Sequence, residues 1–468
     1  MNLVDFSRMG YIIAEAITAD CLSYLPRWML TDDKKIKTFH LTTFGCQMNL
    51  ADSSTLVAGL TTRGYRRVDQ ESEADLIILN TCSVREKAEQ RVLGRLGDLS
   101  RLKKSRPGVR IAVVGCMAQR LGSELVEAIP CVDYVLGTDR VFELPDVIEG
   151  REGTSSVMTA FGHENVDQIE PVRETPYSGF VTISRGCDNF CSYCIVPYVR
   201  GRELSHSVEH ILASVEKMAA DGVVEIMLLG QNVNSYCYKD CDFPELLQRV
   251  AHETDIPRIR FMTSHPKDLS PRLIETLASE PKLMPHVHLP LQSGSDAVLE
   301  RMGRRYTCDH YRKIVDSLRT ALDYVSITTD LIVGFPGERI EDYEMTLQTV
   351  REIQFDAAFM FRYSVRPGTR AARFDDDVPE DEKIERLNHL IELQKSVSLE
   401  RNQREVGQVR WSMVEGYSRR SREYGRARTE GNKTVLFKTD QPEVGQILPL
   451  RINSADAFTL HGEPTEVS

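Results

Sequence analysis

The chain has 468 residues, 41% of them hydrophobic and 27% charged, and carries a net charge of −11. That length exceeds one ordinary domain, and the apolar share is that of a globular protein, so two or three domains are expected. The acidic balance excludes a protein that coats nucleic acid by bulk charge but leaves room for a local basic patch, and no apolar run reaches the 18 residues that a membrane span requires.

The first 36 residues hold short apolar stretches at 10–17 and 21–30, interrupted by Glu15 and Asp20. They lack the basic start, apolar block and cleavage site of a secretory signal. The segment reads as an N-terminal extension without an assigned role, Met9 and Met29 being alternative starts. Eleven cysteines without such a signal imply a reducing, cytoplasmic setting, where grouped thiols mean metal or catalysis more often than disulfides.

Over 37–153, apolar runs at 38–43, 75–79 and 110–114 alternate with polar, helix-like stretches, which predicts a small α/β domain built on a parallel sheet. Cys46, Cys82 and Cys116 each follow one of these strands. In open parallel sheets the carboxyl ends of the strands share one edge, where ligands bind, so three residues far apart in sequence can converge there. The polar, aperiodic stretch 154–177 reads as a linker.

From 178 to 363 six strand-then-helix units follow, with strands at 179–184, 225–229, 258–262, 286–289, 326–333 and 357–363. Helices are expected at 208–220, 244–252, 271–278, 308–322 and 340–353. This predicts a partial (β/α)6 barrel with chemistry on the loops after the strands, two units short of closure and open to a bulky substrate. A charged helix at 379–406 ends the core, placed at 178–400. Short β-like runs at 409–414, 434–438, 446–452 and 457–460 predict a small C-terminal β-barrel within 401–468.

The strongest motif is Cys187-x-x-x-Cys191-x-x-Cys194, directly after the first barrel strand. Thiolates are soft ligands suited to iron–sulfur clusters. Three of them on a 4Fe–4S cluster leave one iron open to a small molecule, whereas zinc would want a fourth protein ligand, for which His206 is the nearest candidate. Here the chain resembles the radical S-adenosylmethionine superfamily. The resemblance implies that the open iron binds the amino and carboxylate groups of S-adenosylmethionine and that electron transfer yields a 5′-deoxyadenosyl radical, a species able to attack an aromatic C–H bond.

With this motif, the second thiol trio resembles the tRNA methylthiotransferase family, in particular its branch acting on isopentenylated adenosine. The stretches that carry the resemblance are Thr43-Phe44-Gly45-Cys46-Gln47-Met48-Asn49, Asn80-Thr81-Cys82-Ser83-Val84-Arg85-Glu86, Gly115-Cys116-Met117-Ala118-Gln119 and Cys194-Ile195-Val196-Pro197-Tyr198-Val199-Arg200-Gly201-Arg202-Glu203. The resemblance runs from Lys37 into the C-terminal barrel. It implies an auxiliary 4Fe–4S cluster on Cys46, Cys82 and Cys116 that carries the inserted sulfur, and two molecules of S-adenosylmethionine per product, with the methylthio group placed at C2 of the adenine. Val365, where a proline is usual, and Arg339, where a small hydroxyl residue is usual, depart from the pattern and touch no cysteine. Cys21, Cys131, Cys237, Cys241 and Cys308 match no ligand position and read as incidental or packing thiols.

The loops after the second, fourth and fifth barrel strands read as the cofactor pocket. The candidates are Gln231 and Asn232, Gln292 and Ser293, Asp330, Gly334 and Gly337, with Arg304 for the carboxylate or ribose of the cofactor. For RNA, the window 418–429 sets Arg419, Arg420, Arg422, Arg426 and Arg428 around one acid, Glu423, and one aromatic, Tyr424. It resembles the small RNA-binding barrel of the same family. Arg200 and Arg202 are expected to face phosphates near a base splayed from its stack.

The expected substrate is tRNA carrying N6-isopentenyl-adenosine beside the anticodon. An electron donor such as flavodoxin or ferredoxin, a monomeric state and no membrane contact are also expected. Two other substrates keep the chemistry: threonylcarbamoyl-adenosine in tRNA and a ribosomal-protein aspartate. A non-catalytic iron–sulfur RNA-binding module is the alternative of a different class.

Overall fold

In the structure, a computed structural model, residues 37–83, 86–151, 153–162 and 172–466 are described; the extension at 1–36 lies outside them. The chain divides into two compact units. One comprises Met1–Val172 with Ile195–Arg202, the other Arg173–Cys194 with Glu203–Ser468.

The first unit is a six-stranded parallel sheet formed by β1 (Thr38–Thr43), β2 (Arg66–Arg67), β3 (Leu76–Thr81), β4 (Arg110–Gly115), β5 (Tyr134–Leu136) and β6 (Val157–Met158), in the order β2-β1-β3-β4-β5-β6. Every residue of β3 is buried, because apolar layers cover both faces of the sheet. Ile77, Leu79, Ile111 and Val113 pack with Val92, Leu96 and Leu99 of helix α2 (Glu86–Ser105) on one face. Phe39, Leu41, Ile78 and Val114 pack with Leu56 and Leu60 of α1 (Gln47–Thr62) on the other. A strand buried on both sides reads as an unbroken apolar run, which is why Leu76–Leu79 was visible in the sequence. Two short helices complete the part of this unit that bears on function, α3 (Cys116–Leu121) and α4 (Val196–Arg200). The expected linker 154–177 is corrected in part: Val157–Met158 pairs with β5 as the outer strand, while 163–171 falls outside the described residues.

The second unit holds the six expected parallel strands, β7 (Ser178–Thr182), β8 (Glu225–Leu229), β9 (Arg258–Phe261), β10 (His286–His288), β11 (Ser326–Val333) and β12 (Ala357–Arg362). They run as two sheets, β9-β8-β7 and β10-β11-β12, and a parallel bridge pairs Ile259 of β9 with Leu283, just before β10. Among the described residues no pairing joins β7 to β12, so the barrel is open. Its helices are α5 (Val208–Ala220), α6 (Phe243–Glu253), α7 (Pro271–Ser279), α8 (Asp296–Met302), α9 (Cys308–Ala321) and α10 (Ile340–Ile353), followed by the long α11 (Glu380–Gln403). Ser207, Ser270, Ser295 and Thr307 cap α5, α7, α8 and α9 by accepting from backbone N–H groups of their first turns.

The C-terminal strands β13 (Val409–Tyr417), β14 (Tyr424–Thr429), β15 (Thr434–Lys438), β16 (Ile447–Ala455) and β17 (Leu460–Pro464) close into a barrel in the order β13-β14-β15-β17-β16. The run expected as a strand at 457–460 is a turn instead. Asp456 accepts from the N–H groups of Phe458 and Thr459, and the strand begins only at Leu460. A buried ion cluster ties this barrel to the core. Glu225 accepts from Arg258 and Arg260, at 2.9 Å each, and Arg260 donates onward to the carbonyls of Thr429 and Glu430 at 2.8 and 2.9 Å.

Candidate functional site

In the first unit, Cys46 is the residue before α1, Cys82 follows β3, and Cys116 opens α3 after β4. Cys82 and Cys116 are about as buried as core leucines. Two glycines let the three strand ends approach. A Cβ on Gly45 (φ +138°) would stand 2.8 Å from Cys82 Cβ and 2.6 Å from Asn49 Oδ1, and one on Gly115 (φ +92°) would stand 2.5 Å from Asn80 Oδ1. A pair of buried asparagines forms the floor. Asn49 donates to Asn80 Oδ1 and to the Thr81 carbonyl, and Asn80 donates to the Asn49 carbonyl and Ser53 Oγ. Cys46 Sγ lies 3.4 Å from Asn49 Oδ1. Burial pushes the Cys116 thiol up to about 12. The Arg200 cation pulls it back, and Cys82, Cys46 and Asp52 add to the rise.

Arg200, expected at a phosphate, is corrected. It is buried in this same unit, with Nη2 2.8 Å from Asp52 Oδ2, so it cannot serve as a surface contact. Its Nη1 and Asp52 Oδ1 are buried without a partner. Arg202 is exposed.

In the second unit, Cys187, Cys191 and Cys194 sit on the loop that follows β7. This loop is clamped: Ser192 N and Oγ donate to the carbonyls of Met302 and Arg301, and Ala371 N donates to the Ser192 carbonyl. Burial raises Cys187 to about 11. Arg304 is completely engaged. Its Nη1 reaches Cys191 Sγ at 3.3 Å, Nη2 donates to the Pro290 carbonyl, and Nε donates to Tyr306 Oη, which in turn donates to the Leu291 carbonyl at 2.7 Å. It therefore holds the sulfur-bearing loop against the loop after β10.

Buried polar atoms are almost always hydrogen-bonded, yet several at the carboxyl ends of these strands have no partner. They are Thr182 Oγ1, Ser184 Oγ, both amide atoms of Gln231, Asn232 Oδ1, Ser264 Oγ, His265 Nε2 and Gln292 Oε1. Gln292 (φ +72°) and the β-branched Thr263 (φ +70°) hold a backbone conformation that such residues rarely adopt, a strain typical of ligand sites. These atoms stand at the strand ends, where the loop of the trio also begins, and suit an amino-acid and nucleoside ligand. Gln231, Asn232 and Gln292 are among the residues expected at the cofactor. Thr182, Ser184, Ser264 and His265 were not singled out, their one signal being a position at a strand end.

Three expected cofactor residues have partners within the protein. Ser293 Oγ accepts from Ser295 N. Gly334 donates to Glu338 and would press a Cβ on Lys383, and Gly337 donates to Asp377 and would press one on Arg301. Asp330 is partly exposed and stands 3.4 Å from His288 Nε2 on the barrel's inner wall. Phe359, opposite Asp330 in register, and Phe361, opposite Ile332, are 55% and 41% exposed on the open edge strand.

Of the five arginines in the basic window, Arg426 and Arg428 already have an acidic partner. Both lie on β14 and pair with Glu415. Arg419, Arg420 and Arg422 are exposed on the β13–β14 loop beside the exposed rings of Tyr417 and Tyr424. Among the described residues no three Cys, His, Asp or Glu side chains gather closely enough for a single metal ion. A cubane places each cysteine on a different iron and so takes its ligands farther apart, and each thiol trio fits that donor chemistry.

Residues 38–137 match Uncharacterized protein family UPF0004, and residues 181–350 match the Radical SAM superfamily. The chain is 43% identical over 437 residues to tRNA-2-methylthio-N(6)-dimethylallyladenosine synthase of Pelotomaculum thermopropionicum, covering 91% of this chain and 97% of that one. To the enzyme of the same name from Moorella thermoacetica it is 44% identical over 438 residues, covering 92% and 99%. Among solved structures, the radical S-adenosylmethionine methyltransferase TsrM of Kitasatospora setae, with cobalamin and a 4Fe–4S cluster bound, aligns with a TM-score of 0.55 at 15% identity, covering 72% of this chain and 77% of that one. At that identity the likeness is one of fold.

Proposed function

The chain belongs to the tRNA-2-methylthio-N(6)-dimethylallyladenosine synthase family, and we propose from that membership that it places a methylthio group on C2 of the adenine in N6-dimethylallyladenosine, beside the anticodon of tRNA. The radical superfamily it contains implies a 4Fe–4S cluster and S-adenosylmethionine. In this reading Cys187, Cys191 and Cys194 hold that cluster, and Cys46, Cys82 and Cys116 hold a second one. When bound, these groups supply the radical, the methyl group and the sulfur.

The protein's own work is positional. Arg304 fixes Cys191 against the Pro290 loop. Gln231, Asn232, Ser264, His265 and Gln292 offer unmatched donors and acceptors to the cofactor. Phe359 and Phe361, on the strand left without a barrel partner, offer aromatic faces to a splayed base and its apolar substituent. Arg419, Arg420 and Arg422 offer phosphate contacts, with Tyr417 and Tyr424 for stacking. A ferredoxin or flavodoxin would deliver the electron, and the protein would act as a monomer.

The observation that carries this reading is the set of buried polar atoms without partners at the strand ends, where the loop of a trio of thiols also begins. Mass spectrometry of tRNA nucleosides from a strain lacking the gene tests it. Dimethylallyladenosine should accumulate and its methylthio derivative should return on complementation. A change confined to threonylcarbamoyl-adenosine, or no change in either nucleoside, would refute the reading.

A further inference from the structure

We propose that Arg200 is a positioning residue for the sulfur delivered at the Cys46–Cys82–Cys116 cluster: Asp52 grips one arm of its guanidinium, and the other arm donates a hydrogen bond to an anionic sulfur ligand, hydrosulfide or an alkylthiolate, on the open iron. The inference rests on the two-cluster reading above.

A buried guanidinium is costly unless its donors are matched. Arg200 is only 4% exposed, yet its Nη2 alone has a protein partner, Asp52 Oδ2 at 2.8 Å, while Nη1 has none. Arg260 in the second unit, by contrast, has both Nη atoms on carbonyls.

Its location supplies the missing acceptor. α4, which ends in Arg200, lies against α3, which begins with Cys116, and Cys116 packs with Ile195 and Val199 of the Arg200 segment. Thr138 Oγ1 donates to the Val199 carbonyl at 2.6 Å and fixes that segment one residue before Arg200. Asp52 neutralises the cation, so the pair adds little net charge and presents a directed donor. A sulfur anion is large and polarisable and accepts hydrogen bonds from charged donors. Each such bond in a dry site is worth about ten-fold or more in affinity.

The test uses full-length protein with Cys187, Cys191 and Cys194 replaced by alanine, reconstituted without oxygen so that iron reports on the first trio alone. Sodium hydrosulfide is titrated against the electron paramagnetic resonance spectrum of the reduced cluster in this background, with Arg200 intact, as Arg200→Lys and as Arg200→Gln. Arg200→Lys keeps the ion pair with Asp52 and loses the second arm. Both variants are expected to retain about four irons, to bind hydrosulfide about ten-fold or more weakly, and to lose the spectral change that the ligand produces. Should Arg200→Gln fail to hold iron, Arg200→Lys decides. Wild-type hydrosulfide affinity and spectrum in Arg200→Lys would overturn the inference while leaving two clusters in place. No iron in the parent with Arg200 intact would instead overturn the two-cluster reading, and this inference with it.

Discussion

Gly115→Ala tests whether the geometry around the first thiol trio is as tight as described. Gly115 ends β4 with φ 92° and ψ −155°, a conformation essentially reserved for glycine. A methyl group there would stand 2.5 Å from Asn80 Oδ1 and 2.7 Å from the Thr81 carbonyl. Neither atom is free to retreat, since both accept from Asn49 Nδ2 and Thr81 belongs to the neighbouring strand. The backbone strain costs about 1–3 kcal/mol and the overlap about as much again, so the variant should be destabilised by about 2–6 kcal/mol. The assay is urea unfolding of the full chain, with iron counted after anoxic reconstitution. Gly115→Ala should lower the unfolding midpoint of the first unit and lose about half the bound iron. Gly59→Ala, in open space within α1, should be neutral or stabilising by about 0.4–1 kcal/mol. Equal stability and equal iron in the two variants would refute the reasoning.

Burial, with Arg304, Lys267 and Arg305 nearby, holds His265 down at about 2. Its ordinary value is near 6.5, so the unfolded chain takes up a proton that the folded chain refuses. Stability present above that value is lost as pH falls from about 6.5 toward 2, by about 2 kcal/mol at pH 5. His265→Gln should flatten the decline in unfolding free energy between pH 7 and pH 5, and parallel declines would contradict this. Replacing Arg419, Arg420 and Arg422 with alanine should weaken tRNA binding and reduce the slope of log affinity against log salt by up to about 3. Arg428→Ala should lower stability by breaking the Glu415 pair and leave that slope unchanged; the reverse pattern would place the RNA on β14.

The parallel strands were legible because a sheet covered on both faces leaves an unbroken apolar run, as in Leu76–Leu79 and Ile226–Leu229. β14 was not. Its inward residues are the small Gly425, Ala427 and Thr429, and its outward ones are Tyr424, Arg426 and Arg428, so the charge concealed an ordinary alternation of two. Glu415, the acid that pairs with both arginines, lies on another strand, so no local signal marked them as paired. Arg200 was misread for the same reason, since Asp52 is 148 residues away. Gly334 and Gly337 were attributed to a ligand, yet the side chains that require them, Lys383 and Arg301, come from α11 and α8. His265 had no motif around it. Its site became visible only when burial left its nitrogen without a partner.

Methylthio transfer as proposed requires two separate trios of thiols, each holding a four-iron cluster. The most direct measurement is iron and sulfide content, with Mössbauer spectra, of the anoxically reconstituted wild type beside the two triple-alanine variants, one for each trio. The account predicts about eight irons in the wild type and about four, as intact 4Fe–4S, in either variant. Four irons in the wild type, or zinc in either trio, would contradict it.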